Sequence, residues 1–104
     1  MSKATAQLIA KKYLARLRTQ GIPVTQAYLF GSIVRGTARK DSDIDVAVIS
    51  PWFDASDDKK RTTLWTVRTP EEYDIEPHGF SPEDWEDNIN PMVYEIKKTG
   101  EQIT

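Results

Sequence analysis

A small α/β (α+β) sandwich, with a small mixed β-sheet and helices packed on one side, is the fold class this sequence predicts. Two periodicities predict it. Apolar residues recur at helical spacing over residues 3–19, whereas Asp43 to Ile49 alternates with period two. Glycine and proline punctuate the segments between, so the element order reads α-β-(turn)-β-α-β-α-α, a layered arrangement of helices on a sheet.

Each element has a local reason. Ala6, Ile9, Ala10, Tyr13, Leu14 and Leu17 form one helical stripe, with Lys3, Lys11, Lys12, Arg16 and Arg18 largely outside it, and Gly21 and Pro23 stop the helix. Gln26 to Phe30 is short, apolar and aromatic, as a buried strand requires. Gly31-Ser32 breaks it, and Ser32 to Ala38 predicts one helical turn. In the next strand Ile44, Val46 and Val48 share one face, and Asp43, Asp45, Ala47 and Ile49 the other. Pro51 ends it. Ser56-Asp57-Asp58 caps a helix to about Val67, with Leu64 and Trp65 expected to turn inward. Tyr73 to His78 reads as a third strand closed by Pro77 and Gly79. Ser81-Pro82-Glu83-Asp84 has the residues of a helix start, and Asn90-Pro91 opens a last helix with Met92, Val93 and Ile96 on one face and Gly100 as its stop.

Composition narrows the function classes. The 104 residues are read as one domain, 1–104, with no repeat or linker. Lys and Arg number 14 against 16 Asp and Glu, a net charge of −2, so no direct DNA binding is expected. There is no cysteine, which removes disulfides, thiolate zinc sites and thiol nucleophiles, and the single histidine, His78, removes an all-histidine metal cage. No apolar run approaches the roughly 20 residues of a membrane span, and the N-terminus lacks a signal-peptide core. The expectation is a small soluble cytoplasmic protein whose macromolecular acceptor docks on its surface.

One stretch carries chemistry: Leu29-Phe30-Gly31-Ser32-Ile33-Val34-Arg35-Gly36, followed by Ser42-Asp43-Ile44-Asp45-Val46. Glycine after a strand lets backbone approach a phosphate, and a turn opening a helix aims free N–H groups at it. Asp43 and Asp45 stand two apart on a strand, so their carboxylates leave the same face, a spacing suited to Mg²⁺ shared with phosphate oxygens. Two carboxylates about 6 Å apart repel by roughly 2–3 kcal/mol at an effective dielectric near 20, a cost that a bound cation removes. Alone, an Asp-x-Asp pair is most simply two solvated charges. The preceding Gly-Ser turn reverses that balance.

Two rival motifs fail. Gly31 to Gly36 has P-loop glycine spacing, but Thr37-Ala38 stands where Lys-Ser/Thr is needed. Asp41-Ser42-Asp43-Ile44-Asp45 begins like a calcium loop, yet Val46 and Trp52 occupy the positions of its glycine and final bidentate acid.

The pattern G-S-x-x-R-G followed by S-D-I-D resembles the nucleotidyltransferase superfamily typified by DNA polymerase beta, and within it the minimal nucleotidyltransferases that act as antitoxins beside HEPN-domain toxins. The resemblance spans nearly the whole chain and implies the nucleotidyltransferase fold. It implies that Gly31, Ser32, Arg35 and Ser42 bind nucleotide and that Asp43 and Asp45 ligate two Mg²⁺ ions. A third carboxylate on a later strand serves as ligand and base. Glu76 is the best position, with Asp74, two residues earlier, its rival. Arg35 either contacts phosphate or pins the turn to a carboxylate. The implied reaction is Mg²⁺-dependent transfer of AMP from ATP to a tyrosine hydroxyl of a partner HEPN-domain toxin. The alternative is an inert antitoxin that neutralises that partner by binding alone.

Other residues read more plainly. His78 reads first as a structural histidine at a strand end, with contact to phosphate or acceptor as the alternative. Trp52 and Phe53 read as a cap on the core ahead of a partner-binding patch. The basic residues of the first helix read as its solvated face, and Asp54, Asp57 and Asp58 as loop and cap charges.

Overall fold

The structure, a computed structural model, describes residues 1–37, 43–54 and 58–104. Helix α1 (Lys3–Thr19) opens with Ser2, whose hydroxyl accepts from the Thr5 amide. It closes through Gly21 at φ +84°, where the Gly21 and Ile22 amides donate to the Arg18 and Leu17 carbonyls. A left-handed residue is what lets the chain turn back to satisfy those last carbonyls. Strand β1 (Gln26–Phe30) leads into the short helix α2 (Ser32–Arg35), then come β2 (Ile44–Ile49) and α3 (Asp58–Thr66). The expected cap residues Ser56 and Asp57 lie outside the described residues. A 3₁₀ turn (Pro70–Glu72), β3 (Ile75–Phe80), α4 (Pro82–Trp85), α5 (Pro91–Thr99) and β4 (Glu101–Gln102) complete the order.

The sheet runs β3-β2-β1-β4. β1 is antiparallel to β2 and β4, while β2 and β3 are parallel, joined by the crossover through α3. Alternation distributes the core. Ala27, Leu29, Ile44, Val46 and Val48 meet α1 through Ala6, Ala10, Tyr13, Leu14 and Leu17. The opposite face carries a second core of Ala47, Ile49, Phe80, Trp85, Val93 and Ile96, with Tyr28 and Phe30 packed on it.

A mixed sheet flanked by helices is therefore found, and one detail of the expectation is corrected. Helices cover both faces, because Ala47, Ile49 and Phe80 give the second face enough apolar surface to bury α4 and α5. Ser81 caps α4 as its sequence indicated, in a reciprocal pair with Asp84. Asn90 accepts from the Met92 and Val93 amides at the start of α5.

Two further expectations shift. The third strand begins at Ile75 and continues through Pro77 and Gly79 to Phe80. Proline is tolerated there because β3 is an edge strand. Arg61 Nε donates to the Gly79 carbonyl and Arg68 Nη1 to the Ile75 carbonyl, so side chains from the α3 segment occupy acceptors of that edge. Trp65 points outward at 39% exposure while Leu64 is buried. Consecutive helical residues diverge by about 100°, and α3 has room to bury one of them. The Arg68 guanidinium covers the outward Trp65 ring at 4.8 Å. Phe53 is buried and Trp52 packs against the core, as read. Strand β4 has no counterpart in the sequence reading, since two residues carry no periodic signal.

Candidate active site

The bend between β1 and α2 is glycine-dependent. Gly31 has φ 77° and ψ −151°, and a Cβ built on it would collide with Oδ2 of Asp45, with Cγ only 3.2 Å away. Antiparallel register explains the meeting, because Phe30 is the Cα partner of Asp45, so the bend leaves β1 beside that carboxylate. Ser32 follows as the first residue of α2, half-buried, and Arg35 ends that turn on the surface.

Parallel register supplies the second half. Asp45 pairs with Glu76, one strand further along the sheet. His78, two residues later in β3, shares the face of Glu76. One ligand atom from each of Asp45, Glu76 and His78 lies within 4.8 Å of the others. His78 Nε2 stands 3.4 Å from Asp45 Oδ1, and the His78 ring packs edge-on against Phe30 at 5.1 Å. Asp43 sits just before β2 and shares a side-chain hydrogen bond with Glu76. Asp74 is exposed, and its carbonyl accepts from the Ile44 amide at 2.7 Å. Ser42 lies outside the described residues.

Electrostatics follow from the crowding. Partial burial raises the Glu76 carboxyl above its ordinary value of 4.5. The Asp45 charge and the hydrogen bond with Asp43 raise it further, and His78 opposes them. Three carboxylates and one imidazole on a partly open surface form a cluster that a divalent cation would neutralise.

The cluster borders an open cleft of about 630 Å³ between the bend and α5. Phe30, Gly31, Arg35 and Asp45 form one wall, and Asn90, Pro91, Met92, Glu95 and Thr99 the other. That volume lies within the range of small-molecule sites.

The sequence matches the nucleotidyltransferase domain family over residues 10–97, which contain the bend, the acids and α5 almost entire. The chain belongs to that family. Solved structures with this nucleotidyltransferase fold include a toxin–antitoxin complex crystallised with AMP-PNP. Its similarity is 24% identity and TM-score 0.63, covering 89% of this chain and 71% of that one. A protein from Sulfolobus solfataricus assigned as a nucleotidyltransferase is 18% identical with TM-score 0.58, covering 80% and 77%. A double Asp-to-Glu variant of the MntA–HpeT toxin–antitoxin is 23% identical with TM-score 0.59, covering 90% and 71%. No curated protein matches the chain in sequence.

Within this nucleotidyltransferase domain, the residues singled out in sequence that are described here occupy one end of the sheet. His78, read first as a structural histidine, lies beside Asp45 and Glu76. Its signal was available, since a residue two after Glu76 on a strand must share its face. The α5 wall has no such signal: Met92, read on one face with Val93 and Ile96, is 42% exposed and lines the cleft. Among the described residues no helix is long and apolar enough to cross a membrane.

Proposed function

We propose that this nucleotidyltransferase domain transfers AMP from ATP to a tyrosine hydroxyl of a HEPN-domain toxin, and so acts as an antitoxin. The observation that carries the reading is the meeting of Asp45 and Glu76 beside the Gly31 bend, with Asp43 just before β2 close enough to act on the Glu76 carboxyl. The toxin–antitoxin structures with the same fold, one of them crystallised with the ATP analogue AMP-PNP, support the choice of donor and partner.

The donor set fits hard divalent cations. Asp43, Asp45 and Glu76 contribute carboxylate oxygens, the ligand type Mg²⁺ takes alongside substrate phosphates. Bound there, a pair of Mg²⁺ ions would supply charge neutralisation at the α-phosphoryl group and its leaving pyrophosphate.

The chain's own residues do the rest. Gly31, lacking a Cβ, lets the Asp45 carboxylate pack against the bend, and the first amides of α2 would donate to a phosphate held there. Ser32 adds a hydroxyl donor, and Arg35, on the cleft wall, offers its guanidinium to the outer phosphates. Glu76 accepts the tyrosine proton as the phenolic oxygen bonds to the α-phosphorus and the bond to pyrophosphate breaks. Its raised proton affinity suits that work. The open cleft leaves the acceptor side free for a protein surface.

The test is incubation with ATP, Mg²⁺ and the HEPN-domain partner, followed by intact-mass and peptide mass spectrometry. A gain of one AMP mass, or a multiple of it, on a partner tyrosine is the expected result. A partner that is inhibited but unmodified would replace transfer with neutralisation by binding.

A further inference from the structure

We propose that His78 is itself a metal ligand, so that the cation position beside Asp45 and Glu76 contains one imidazole nitrogen and favours Mn²⁺-like transition ions over Mg²⁺. This inference rests on the metal-dependent reading above and refines which ion that site selects.

Three observations carry it. One ring nitrogen of His78 and one carboxylate oxygen from each of Asp45 and Glu76 lie within 4.8 Å of one another, a group able to share one ion. The Nε2–Oδ1 separation of 3.4 Å is long for a strong hydrogen bond. It suits two ligands of one ion, since metal–ligand bonds of about 2.1 Å at roughly right angles place their donor atoms about 3 Å apart. Finally, the Phe30 ring packs edge-on against the imidazole at 5.1 Å and 61°, which holds the His78 ring in place beside Asp45.

Access is adequate, with 22% of the His78 side chain and 23% of Asp45 exposed. The role needs the neutral imidazole with its proton on Nδ1. The selectivity follows from donor chemistry. Mg²⁺ favours oxygen and parts reluctantly with water, whereas imidazole nitrogen strengthens binding of first-row transition ions. A site of two carboxylates and one imidazole therefore gains for Mn²⁺ what it does not gain for Mg²⁺.

The composition makes the experiment clean. His78 is the single histidine of the 104 residues, so in tag-free, nucleotide-free protein an imidazole-type nitrogen coupling to bound Mn²⁺ has one source. Pulsed EPR of the protein loaded with manganese chloride is expected to show that coupling. H78Q, with its fold checked by circular dichroism, is expected to lose the coupling and bind Mn²⁺ about tenfold or more weakly. Its Mg²⁺ affinity should change by less than about threefold. Bound Mn²⁺ without nitrogen coupling in the wild type would overturn the inference and leave the nucleotidyl-transfer reading standing. Failure to bind Mn²⁺ at this cluster at all would overturn both. Because the wild-type spectrum decides the ligand question, a variant that folds poorly does not block the test.

Discussion

Asp45 and Glu76 are Cα partners across the parallel β2–β3 pair, and both side chains leave the face of the sheet that meets the cleft. Adjacent strands lie about 4.8 Å apart, so like charges at matched positions repel. Asp45→Asn, Asp43→Asn and Glu76→Gln are therefore expected to abolish or cripple AMP transfer. Yet each should leave the melting temperature of metal-free protein unchanged or slightly raised. Glu76→Gln should cost roughly 10²–10⁴-fold in rate and more than Asp74→Asn. Transfer assays and thermal melts in EDTA check both. A marked fall in metal-free melting temperature would make the acids structural, and the reverse order of the last two variants would move the base to Asp74.

The raised Glu76 carboxyl has a defined stability consequence. Its proton is held more tightly in the folded state than in the unfolded chain, where the ordinary value is 4.5. Its contribution is thus fully present below that value and is lost as pH rises through the raised one. Urea unfolding in EDTA should show Glu76→Gln gaining stability relative to wild type as pH rises from about 4 towards neutrality. A difference that stays constant with pH would mean that Glu76 titrates alike in both states.

Gly31 and Gly36 separate strain from collision. Both have positive φ, 77° and 76°, but a Cβ at Gly31 meets the Asp45 carboxylate whereas one at Gly36 meets nothing within 4 Å. Gly36→Ala should cost about 1–2 kcal/mol of stability and keep Mn²⁺ binding. Gly31→Ala should lose both, because its backbone conformation is nearly exclusive to glycine and the methyl displaces a ligand. Equal Mn²⁺ affinities in the two variants would show that Gly31 does not shape the metal cluster.

Tyr13 ties α1 to α3. Its hydroxyl donates to the Leu64 carbonyl at 2.6 Å in a fully buried setting, and burial pushes its ionisation well above the ordinary range. Tyr13→Phe keeps the ring and strands that carbonyl, so denaturant unfolding should register a loss of about 1–3 kcal/mol. A loss below about 0.5 kcal/mol would mean that the Leu64 carbonyl finds another donor.

Much of this molecule was legible residue by residue. The α1 stripe, the caps at Ser81 and Asn90 and the glycine stops are short-range effects, and they appear where local chemistry put them. Trp65 and the end of β3 depart from the sequence expectation for a shared reason. How much of α3 is buried, and whether proline can sit in a strand, depend on the neighbours of those segments. A two-residue strand such as β4 forms only because β1 is already there to pair with it.

The amino-acid order alone determined that Asp45 shares a face with Ala47 and Ile49, that Glu76 shares one with His78, and that a glycine bend follows β1, since strand periodicity and backbone freedom act over a few residues. Only the tertiary structure decided that these pieces meet. Placing Asp45 between Phe30 and Glu76 requires β2 to pair antiparallel on one side and parallel on the other, in one register. That register is settled by burying both faces of the sheet at once, a condition no local stretch of sequence contains.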